Sequence, residues 1–343
     1  MEKKNLTLAR PAPQRILLVS LDNLGDAVMA SAILRPIKRA YPQARIGLWV
    51  KQYAAGLFVD HSLVDAVHAS DPFWDKSPGT DRGRLGEFLK VLGEIRRARY
   101  DVAVILNTEW RRSLACLAAA ISERVGTDRR QSRPFLTAAF PGPAAGGHFI
   151  DDHRVLIEQW SGRPVAVEDC LPRLELTAQD EKAWAAWSAA TGFLDRAYAL
   201  IHLFSGDEDK NWPLSCWVEL VERRLQKDPR ERFVLLCGPG EDRKLAMFRS
   251  RMDREGILLM TAPPLGLLKA VLGHARLALG GDSGPGHVAA ALGTPLLSLF
   301  GKTDPRRSRP LGRGMLHVIH SSPLRFLPVP EVEQALDKFF SRV

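Results

Sequence analysis

The chain has no long apolar run, and nothing in it approaches the roughly 20 apolar residues that a membrane-spanning helix requires. The segment Met1–Pro13 is polar and contains proline, so we do not expect a signal peptide there. Cysteine is also scarce: the four cysteines lie far apart and form no Cys-x-x-Cys pair. This usage favours reduced thiols in a cytoplasmic protein over a disulfide framework.

Two common phosphate-binding fingerprints are absent from the glycine-rich turn at residues 281–286. Its glycines do not have the Gly-x-Gly-x-x-Gly spacing of dinucleotide-binding proteins, and it has no Gly-Lys-Ser/Thr ending of the P-loop kind. No basic repeat interleaved with aromatic residues, and no zinc-ligand spacing, argues for nucleic acid.

Positive charge, in contrast, is abundant. The formal net charge is +9, and much of the excess is arginine in the first half of the chain. Arginine favours bidentate contacts with phosphate and carboxylate, so an acidic substrate or an anionic membrane surface would suit this half. A solvated basic surface is the alternative. The arginines concerned are Arg96, Arg97, Arg99, Arg111, Arg112, Arg124, Arg129, Arg130 and Arg133.

Short apolar strands alternate with helices in both halves of the chain, which predicts an α/β protein with parallel sheets covered on both faces. The break between the halves falls near residues 163–179. We therefore expect two doubly wound, Rossmann-like domains that face a central cleft at the carboxyl ends of their strands. The predicted strands are Arg15–Leu21, Ala44–Val50, Val64–Ala69, Tyr100–Leu106, Tyr198–Phe204, Phe233–Cys237, Ile257–Met260, Leu277–Gly280 and Leu296–Phe300.

The turn after the strand Leu277–Gly280 is the most informative feature. It leads into an alanine-rich helix, so backbone N–H groups and the positive end of the helix dipole point at one spot and favour a phosphate. Asp282 in this turn could hold a sugar hydroxyl. A purely structural strand–turn–helix corner is the alternative interpretation.

Three other loops carry residues with two interpretations each. Asp26, after the Gly25 turn, is either a general base or a helix N-cap. Lys210 either meets a phosphate or is an ordinary surface lysine. The preceding triplet Asp207–Asp209 either binds a divalent cation or is an ordinary acidic loop. Glu241 either accepts hydrogen bonds from a ribose or is favoured by a helix dipole.

Four motifs, in order along the chain, resemble those of the lipopolysaccharide heptosyltransferases, glycosyltransferase family nine. They are the Gly-Asp segment Leu21–Asp26, the Lys-x-Trp-Pro segment Lys210–Pro213, the glycine-rich segment Asp282–Pro295 and the segment Phe300–Pro305. The loop before Lys210 departs from the family because it carries the triplet Asp207–Asp209 in place of a Thr/Ser-rich pattern.

The resemblance implies a GT-B fold and an inverting, metal-independent transfer from a nucleotide-sugar, usually ADP-heptose, to an anionic glycolipid acceptor. It implies no cofactor and no metal. Asp26 would be the base, and Asn23, Arg111 and Arg112 are expected near the acceptor. The residues expected at the donor are Lys210, Glu241, Asp282, Ser283, Gly284, Gly286 and His287.

We expect residues 1–170 to form the acceptor domain and residues 171–325 the donor domain. Residues 326–343 are expected to form a final helix that packs back on the first domain. The expected location is the cytoplasm, with peripheral contact at the inner-membrane surface and no nucleic-acid partner. A nucleotide-sugar 2-epimerase of the same fold and a non-enzymatic anion-binding protein are the alternative functions.

Overall fold

The computed structural model describes residues 11–75, 82–142 and 146–340. Twelve strands are found there: β1 Arg15–Ser20, β2 Arg45–Val50, β3 Ala66–Ala69, β4 Val102–Ile105, β5 Glu123–Thr127, β6 Ala138–Phe140, β7 Ala199–His202, β8 Phe233–Cys237, β9 Ile257–Thr261, β10 Leu277–Gly281, β11 Leu296–Phe300 and β12 Leu316–His320.

Twelve α-helices accompany these strands in the described residues: α1 Leu24–Ala30, α2 Leu34–Ala40, α3 Leu85–Ala98, α4 Trp110–Ala118, α5 Phe149–Ser161, α6 Ala178–Thr191, α7 Leu214–Lys227, α8 Arg249–Met252, α9 Leu265–Gly273, α10 Gly284–Leu292, α11 Pro305–Ser308 and α12 Val329–Phe340.

The strands form two six-stranded parallel sheets of the same topology. The first has the order β3-β2-β1-β4-β5-β6 and the second the order β12-β11-β10-β7-β8-β9. Both sheets have the Rossmann order, in which three successive strands are added on one side and the next three on the other side of the centre. The expected α/β class with two doubly wound units is confirmed. The sequence analysis missed β5, β6 and β12, of which β6 and β12 are edge strands.

The core of the first sheet follows from the two-residue period of a strand. Ile16 and Leu18 of β1 point to one face and pack in a cluster with α1, α2 and α5. Leu17 and Val19 point to the other face and pack with α3 and α4. All four side chains are fully buried. Because both faces of β1 are covered, its sequence is continuously apolar and does not alternate with polar residues.

The segment between β1 and β2 does not form one continuous helix but is divided into α1, a 3-10 turn at Ser31–Ile33 and α2. Pro36 in α2 has no N–H to donate to the carbonyl four residues earlier, so a continuous α-helical ladder cannot form. The hydroxyl of Ser31 also donates to the carbonyl of Val28 at 2.6 Å.

The expectation that the last helix packs back on the first domain is wrong. Helix α12 packs on α7 of the second domain. Its apolar face, with Val332 and Leu336, lies in the core cluster of the second sheet. On the polar side, Arg223 of α7 donates to Glu333 at 2.8 Å. An amphipathic sequence predicts that one face will be buried but does not identify the partner.

The predicted boundary at residue 170 lies between β6 and β7 and stays a prediction. Within the described ranges, no helix has the length and apolar character needed to cross a bilayer.

Candidate active site

The candidate site lies where the central strands of the two sheets end. Strand β1 leads into α1 and strand β10 leads into α10, and these two helices pack against each other. A Cβ atom at Gly284 would lie 2.9 Å from the side chain of Leu24, and one at Gly25 would lie 3.0 Å from His287. Glycine at both positions therefore permits the close approach. The two carboxyl edges face each other across this contact.

Asp26 lies in the first turn of α1 and is not the N-cap residue. Asn23 occupies the N-cap position with extended backbone, and its side chain makes no capping hydrogen bond. The carboxylate of Asp26 instead reaches back to the backbone of Asn23. The N-cap alternative for Asp26 is therefore wrong. The three-residue spacing from Asn to Asp resembles that of a capping box and could have indicated this arrangement.

The carboxyl group of Asp26 is electrostatically unusual. Burial, and then the negative charge of nearby Asp22, raise the pKa of Asp26 to about 6, against opposing effects of the Asn23 backbone, Arg112 and Lys51. A carboxylate with such a pKa is a better proton acceptor than an ordinary aspartate and is still ionised at neutral pH. Both properties suit a general base.

Arg112 does not point into open space but is buried against Asp22. Its guanidinium donates to both carboxylate oxygens of Asp22, at 2.6 and 2.7 Å, and to the carbonyl of Leu21 at 3.0 Å. Asn107 adds a hydrogen bond to Asp22 at 3.2 Å. The structure thus gives Arg112 contacts that fix the β1–α1 turn.

The other residues expected at the acceptor are more exposed. Arg111 pairs with Glu109 at 3.0 Å and lies 4.6 Å above the ring of Trp110. Asn23 is exposed at the tip of the β1–α1 turn. The contacts of Arg111 and Asn23 do not bear on acceptor binding, so their expected role there stays a prediction.

Lys210 and Asp282 meet on the opposite side of the site. The ammonium of Lys210 donates to Oδ2 of Asp282 at 2.8 Å, and the hydroxyl of Thr303 donates to the same oxygen at 2.8 Å. The Asp282 side chain is 8% exposed and that of Lys210 is 26% exposed. An ammonium has three donors, so two remain for a ligand.

The first turn of α10 lies beside this pair. Ser283 is the N-cap residue, but its side chain does not cap the helix. Its hydroxyl instead lies 2.8 Å from Nδ1 of His202. Gly286 and His287, in the same turn, are buried. Burial holds the pKa of His287 below its usual range, so this imidazole is neutral at physiological pH.

Glu241 holds the turn after β8. Its carboxylate accepts a hydrogen bond from the backbone N–H of Gly238 at 2.6 Å, and its own N–H donates back to the carbonyl of Gly238 at 3.2 Å. A structural role is thus visible, and the expected contact with a ribose stays a prediction.

Two carboxylates of the acidic triplet before Lys210 pair with a lysine of the segment Phe300–Pro305. Lys302 lies 3.3 Å from a carboxylate oxygen of Asp207 and 3.1 Å from one of Asp209. Within the ranges that the structure describes, no group of three His, Cys, Asp or Glu residues could hold a metal ion. The structure therefore assigns these two carboxylates to an ion-pair cluster.

Several polar residues at the site were missed by sequence reasoning. Lys51 follows β2, is 1% exposed and pairs with Asp75 at 2.9 Å. Its positive charge is one of the effects that lower the pKa of Asp26. Thr303 and His202 contact Asp282 and Ser283. Lys51 and Thr303 each follow the carboxyl end of a strand, and that position was the available signal.

Comparison with known proteins identifies relatives over most of the chain. The model of glycosyltransferase family 9 (heptosyltransferase) matches residues 88–325. Lipopolysaccharide heptosyltransferase 3 of Escherichia coli (strain K12) is 25% identical over 296 residues, which cover 82% of this chain and 80% of that protein.

Solved structures agree at the level of the fold. A family 9 glycosyl transferase from Veillonella parvula superposes with a TM-score of 0.83 at 17% identity, covering 96% of this chain and 98% of that one. The E. coli heptosyltransferase WaaC with ADP gives a TM-score of 0.75 at 20% identity, covering 95% and 99%. The expected GT-B fold is thereby confirmed.

The raised pKa of Asp26 predicts a stability effect. The folded-state pKa of about 6 exceeds the ordinary aspartate value of 3.8, which applies in the unfolded chain. Ionisation of Asp26 therefore opposes folding as the pH rises between these two values. Asp26→Asn should therefore raise the free energy of unfolding by about 2–3 kcal/mol above pH 7. The gain should vanish below about pH 4. Urea unfolding at pH 4 and pH 8 measures both.

Asp60→Asn is the matched control, since Asp60 is exposed and its left-handed backbone tolerates Asn. It should change the free energy of unfolding by less than about 0.5 kcal/mol at either pH. Equal effects of the two substitutions at pH 8 would show that Asp26 carries no ionisation penalty.

Proposed function

The chain belongs to glycosyltransferase family 9, the heptosyltransferase family, and we propose that it transfers a heptose or related sugar from an ADP-sugar to a lipopolysaccharide core or related glycan acceptor. The donor and acceptor are proposed from relatives: one is named a lipopolysaccharide heptosyltransferase, and another was solved with ADP. Family membership makes the chain an enzyme, which argues against the anion-binding alternative.

One observation carries the proposed mechanism: the first turn of α1, with Asp26, packs directly on the first turn of α10, with the Lys210–Asp282 pair beside it. Asp26 takes the proton of the acceptor hydroxyl while the oxygen of that hydroxyl forms a bond to the anomeric carbon of the donor sugar. The bond from that carbon to the diphosphate breaks, and ADP leaves with the electron pair. Attack opposite the leaving group inverts the anomeric centre.

The departing diphosphate gains negative charge, which needs a positive environment. The N-terminus of α10 supplies part of it through the helix dipole, and Lys210 supplies a full charge. Asp282, fixed by Lys210 and Thr303, faces the hydroxyls of the donor. We assign Ser283, Gly284, Gly286 and His287 to the wall of the donor site. Glu241 is assigned to a hydrogen bond with the ribose of the donor. No metal takes part in this scheme.

Asp26→Asn tests the base. The variant should bind ADP normally but lose about 10²–10⁴-fold in turnover, because Asn keeps the hydrogen-bonding shape and cannot accept the proton. In the wild type, kcat should rise as the pH passes about 6 and Asp26 ionises. The measurement is acceptor-dependent ADP release across pH 5–8.

Full turnover in Asp26→Asn would refute the assignment of the base. ADP release is also measured without acceptor, because an epimerase needs no acceptor and conversion of the donor alone would favour that alternative.

Lys210→Ala tests the donor site. It removes the cation and leaves the buried Asp282 carboxylate near the diphosphate, so ADP should bind about 10- to 100-fold more weakly. Lys210→Arg should lose less affinity, because it keeps the charge. Calorimetry with ADP, with and without EDTA, measures the effect, and Lys182→Ala on the exposed side of α6 is the control.

EDTA should leave ADP affinity unchanged in the wild type. Loss of binding in EDTA would contradict the metal-free scheme and favour a cation at Asp207–Asp209. Affinity in Lys210→Ala equal to that in Lys182→Ala would make Lys210 an ordinary surface lysine.

We place the enzyme in the cytoplasm, in peripheral contact with an anionic inner-membrane surface. The support lies in α3, where Leu85 and Leu89 are 51% and 52% exposed and lie one helical turn apart. Arg84 and Lys90, both exposed, flank them. Apolar side chains beside basic ones are the pattern of an interfacial helix.

Vesicle binding tests this contact. The chain should co-sediment with phosphatidylglycerol-containing vesicles more than with pure phosphatidylcholine vesicles, and Leu85→Ser with Leu89→Ser should lower the bound fraction. Leu194→Ser, at a 64% exposed position in the second domain, is the control. Equal sedimentation of the double variant and the control would argue against α3 as the contact surface.

A further inference from the structure

Four arginines lie together on the side of the domain interface that is remote from the catalytic turn. Helices α1 and α10 pack against each other, and their first turns carry the candidate active site. Beyond the last turn of α1, in α2, the Arg35 side chain experiences the positive charges of Arg173, Arg313 and Arg39. We call these four residues the arginine cluster. They come from three segments: α2, the chain before α6 and the loop after α11.

The chain before α6 holds Arg173 between α2 and the end of α10. The backbone N–H of Arg173 donates to the hydroxyl of Ser31 at 3.0 Å, four residues before Arg35. The next residue, Leu174, donates its N–H to the carbonyl of Ala291 in the last turn of α10 at 3.1 Å. Arg173 is therefore fixed by backbone contacts to both domains.

The loop after α11 brings Arg313 to the same place. Gly312 packs so closely on the last turn of α10 that a β-carbon at this position would overlap the carbonyl group of Ala290. Leu311 packs in one apolar cluster with Ala32, which lies in the turn before α2. The second domain thus contributes an arginine to a basic surface of the first.

Positive charge exceeds negative charge in the arginine cluster. Arg39 pairs with Asp169, and Nε of Arg173 lies 3.5 Å from a carboxylate oxygen of Glu175. Over the ranges that the structure describes, the other two arginines of the cluster have no carboxylate within ion-pair distance. Two positive charges therefore remain. The carboxyl-terminal end of α10 offers only about half a negative charge, which is too little to balance them.

The position of Arg35 makes this excess unfavourable. Arg35 is half-buried, so water screens its repulsion with the other arginines less than at an open surface. Burial, and then the neighbouring positive charges, lower the pKa of Arg35. Guanidinium groups present forks of donors that match the oxygens of phosphate. A phosphate monoester carries close to two negative charges at neutral pH, which equals the excess.

We propose that the arginine cluster binds a phosphate dianion, either as a free ion or on a phosphomonoester lipid headgroup, with Arg35 and Arg313 as its main contacts. These two arginines belong to different domains, so the bound anion links the domains and stabilises the packing of α1 on α10. The site is separate from the donor site and does not depend on the proposed function.

Thermal unfolding in two buffers tests the site. Sodium chloride and sodium phosphate are compared at pH 8 and equal, low ionic strength, with ADP present in both to occupy the donor site. In chloride, Arg313→Gln should raise the Tm by about 1–2 °C, because it removes repulsion. In phosphate, the same variant should melt about 1–3 °C below the wild type, because it has lost a contact with the anion.

A second cluster variant and a matched control localise the effect. Arg35→Gln should show the same reversal as Arg313→Gln, and the exposed position of Arg313 keeps the test valid where the Arg35 variant fails to fold. Arg97→Gln, at an exposed site of α3, should melt with the wild type in both buffers. In calorimetric titrations, phosphate should bind about tenfold more weakly to either cluster variant and equally well to the control.

Vesicles distinguish the two sources of the phosphate group. Co-sedimentation with vesicles that contain phosphatidic acid is compared for the wild type and Arg313→Gln. A lower bound fraction in the variant, with weak binding of free phosphate to the wild type, assigns the cluster to a lipid headgroup. Equal bound fractions, with free phosphate bound by the wild type, assign it to a soluble anion.

The proposal is overturned if the wild type binds neither free phosphate nor these vesicles, or if both cluster variants behave like Arg97→Gln. It is also overturned if Arg313→Gln lowers the Tm equally in chloride and in phosphate, because the arginine would then have a packing role alone. A wild type that does not bind ADP would contradict the proposed function. The phosphate titration, repeated without ADP, would still decide the assignment of the arginine cluster.

Discussion

The contact between the first turns of α1 and α10 is the constraint on which the site depends. Leu24 lies against Gly284 and His287 lies against Gly25, at distances that leave no room for a β-carbon at either glycine without displacement. This contact brings the carboxyl edges of two separate sheets together. It places Asp26 beside a helix N-terminus from the other half of the chain, an arrangement that neither half could make alone.

The charges around this contact divide into paired and unpaired groups. Asp22 is tied to Arg112, and Asp282 is tied to Lys210 and Thr303, so both carboxylates have strong donors. Asp26 experiences chiefly burial and the negative charge of Asp22, which raise its pKa. The electrostatics therefore favour Asp26 as the proton acceptor in the proposed mechanism.

Local patterns predicted much of the fold. The buried central strands and the turn into α10 were found because apolar runs, glycines and helix starts are adjacent in sequence. The short strands β5, β6 and β12 were missed, since three to five residues carry little periodicity. The predicted packing partner of α12 was also wrong, because an apolar helix face does not specify which apolar surface will cover it.

Sequence motifs selected the candidate residues of the site but not the contacts between them. Asp26, Lys210 and Asp282 were recognised from motifs, but the bond between Lys210 and Asp282 joins residues 72 positions apart. Arg112 and Asp22 are 90 apart, and sequence alone suggested a ligand for Arg112 where the structure shows an internal ion pair. Such pairings depend on the packing of whole elements, which no local pattern encodes.

The ion pair between Arg307 and Asp152 shows the same dependence on the packing of the two halves of the chain. Arg307 reaches from the second domain to Asp152 of the first. Separation of the domains would expose Asp152 as an unpaired carboxylate. The interface that sets Asp26 beside the donor half therefore carries this ion pair as well. In the proposed reaction, the approach of the base to the donor depends on both contacts, the one between α1 and α10 and the one between Arg307 and Asp152.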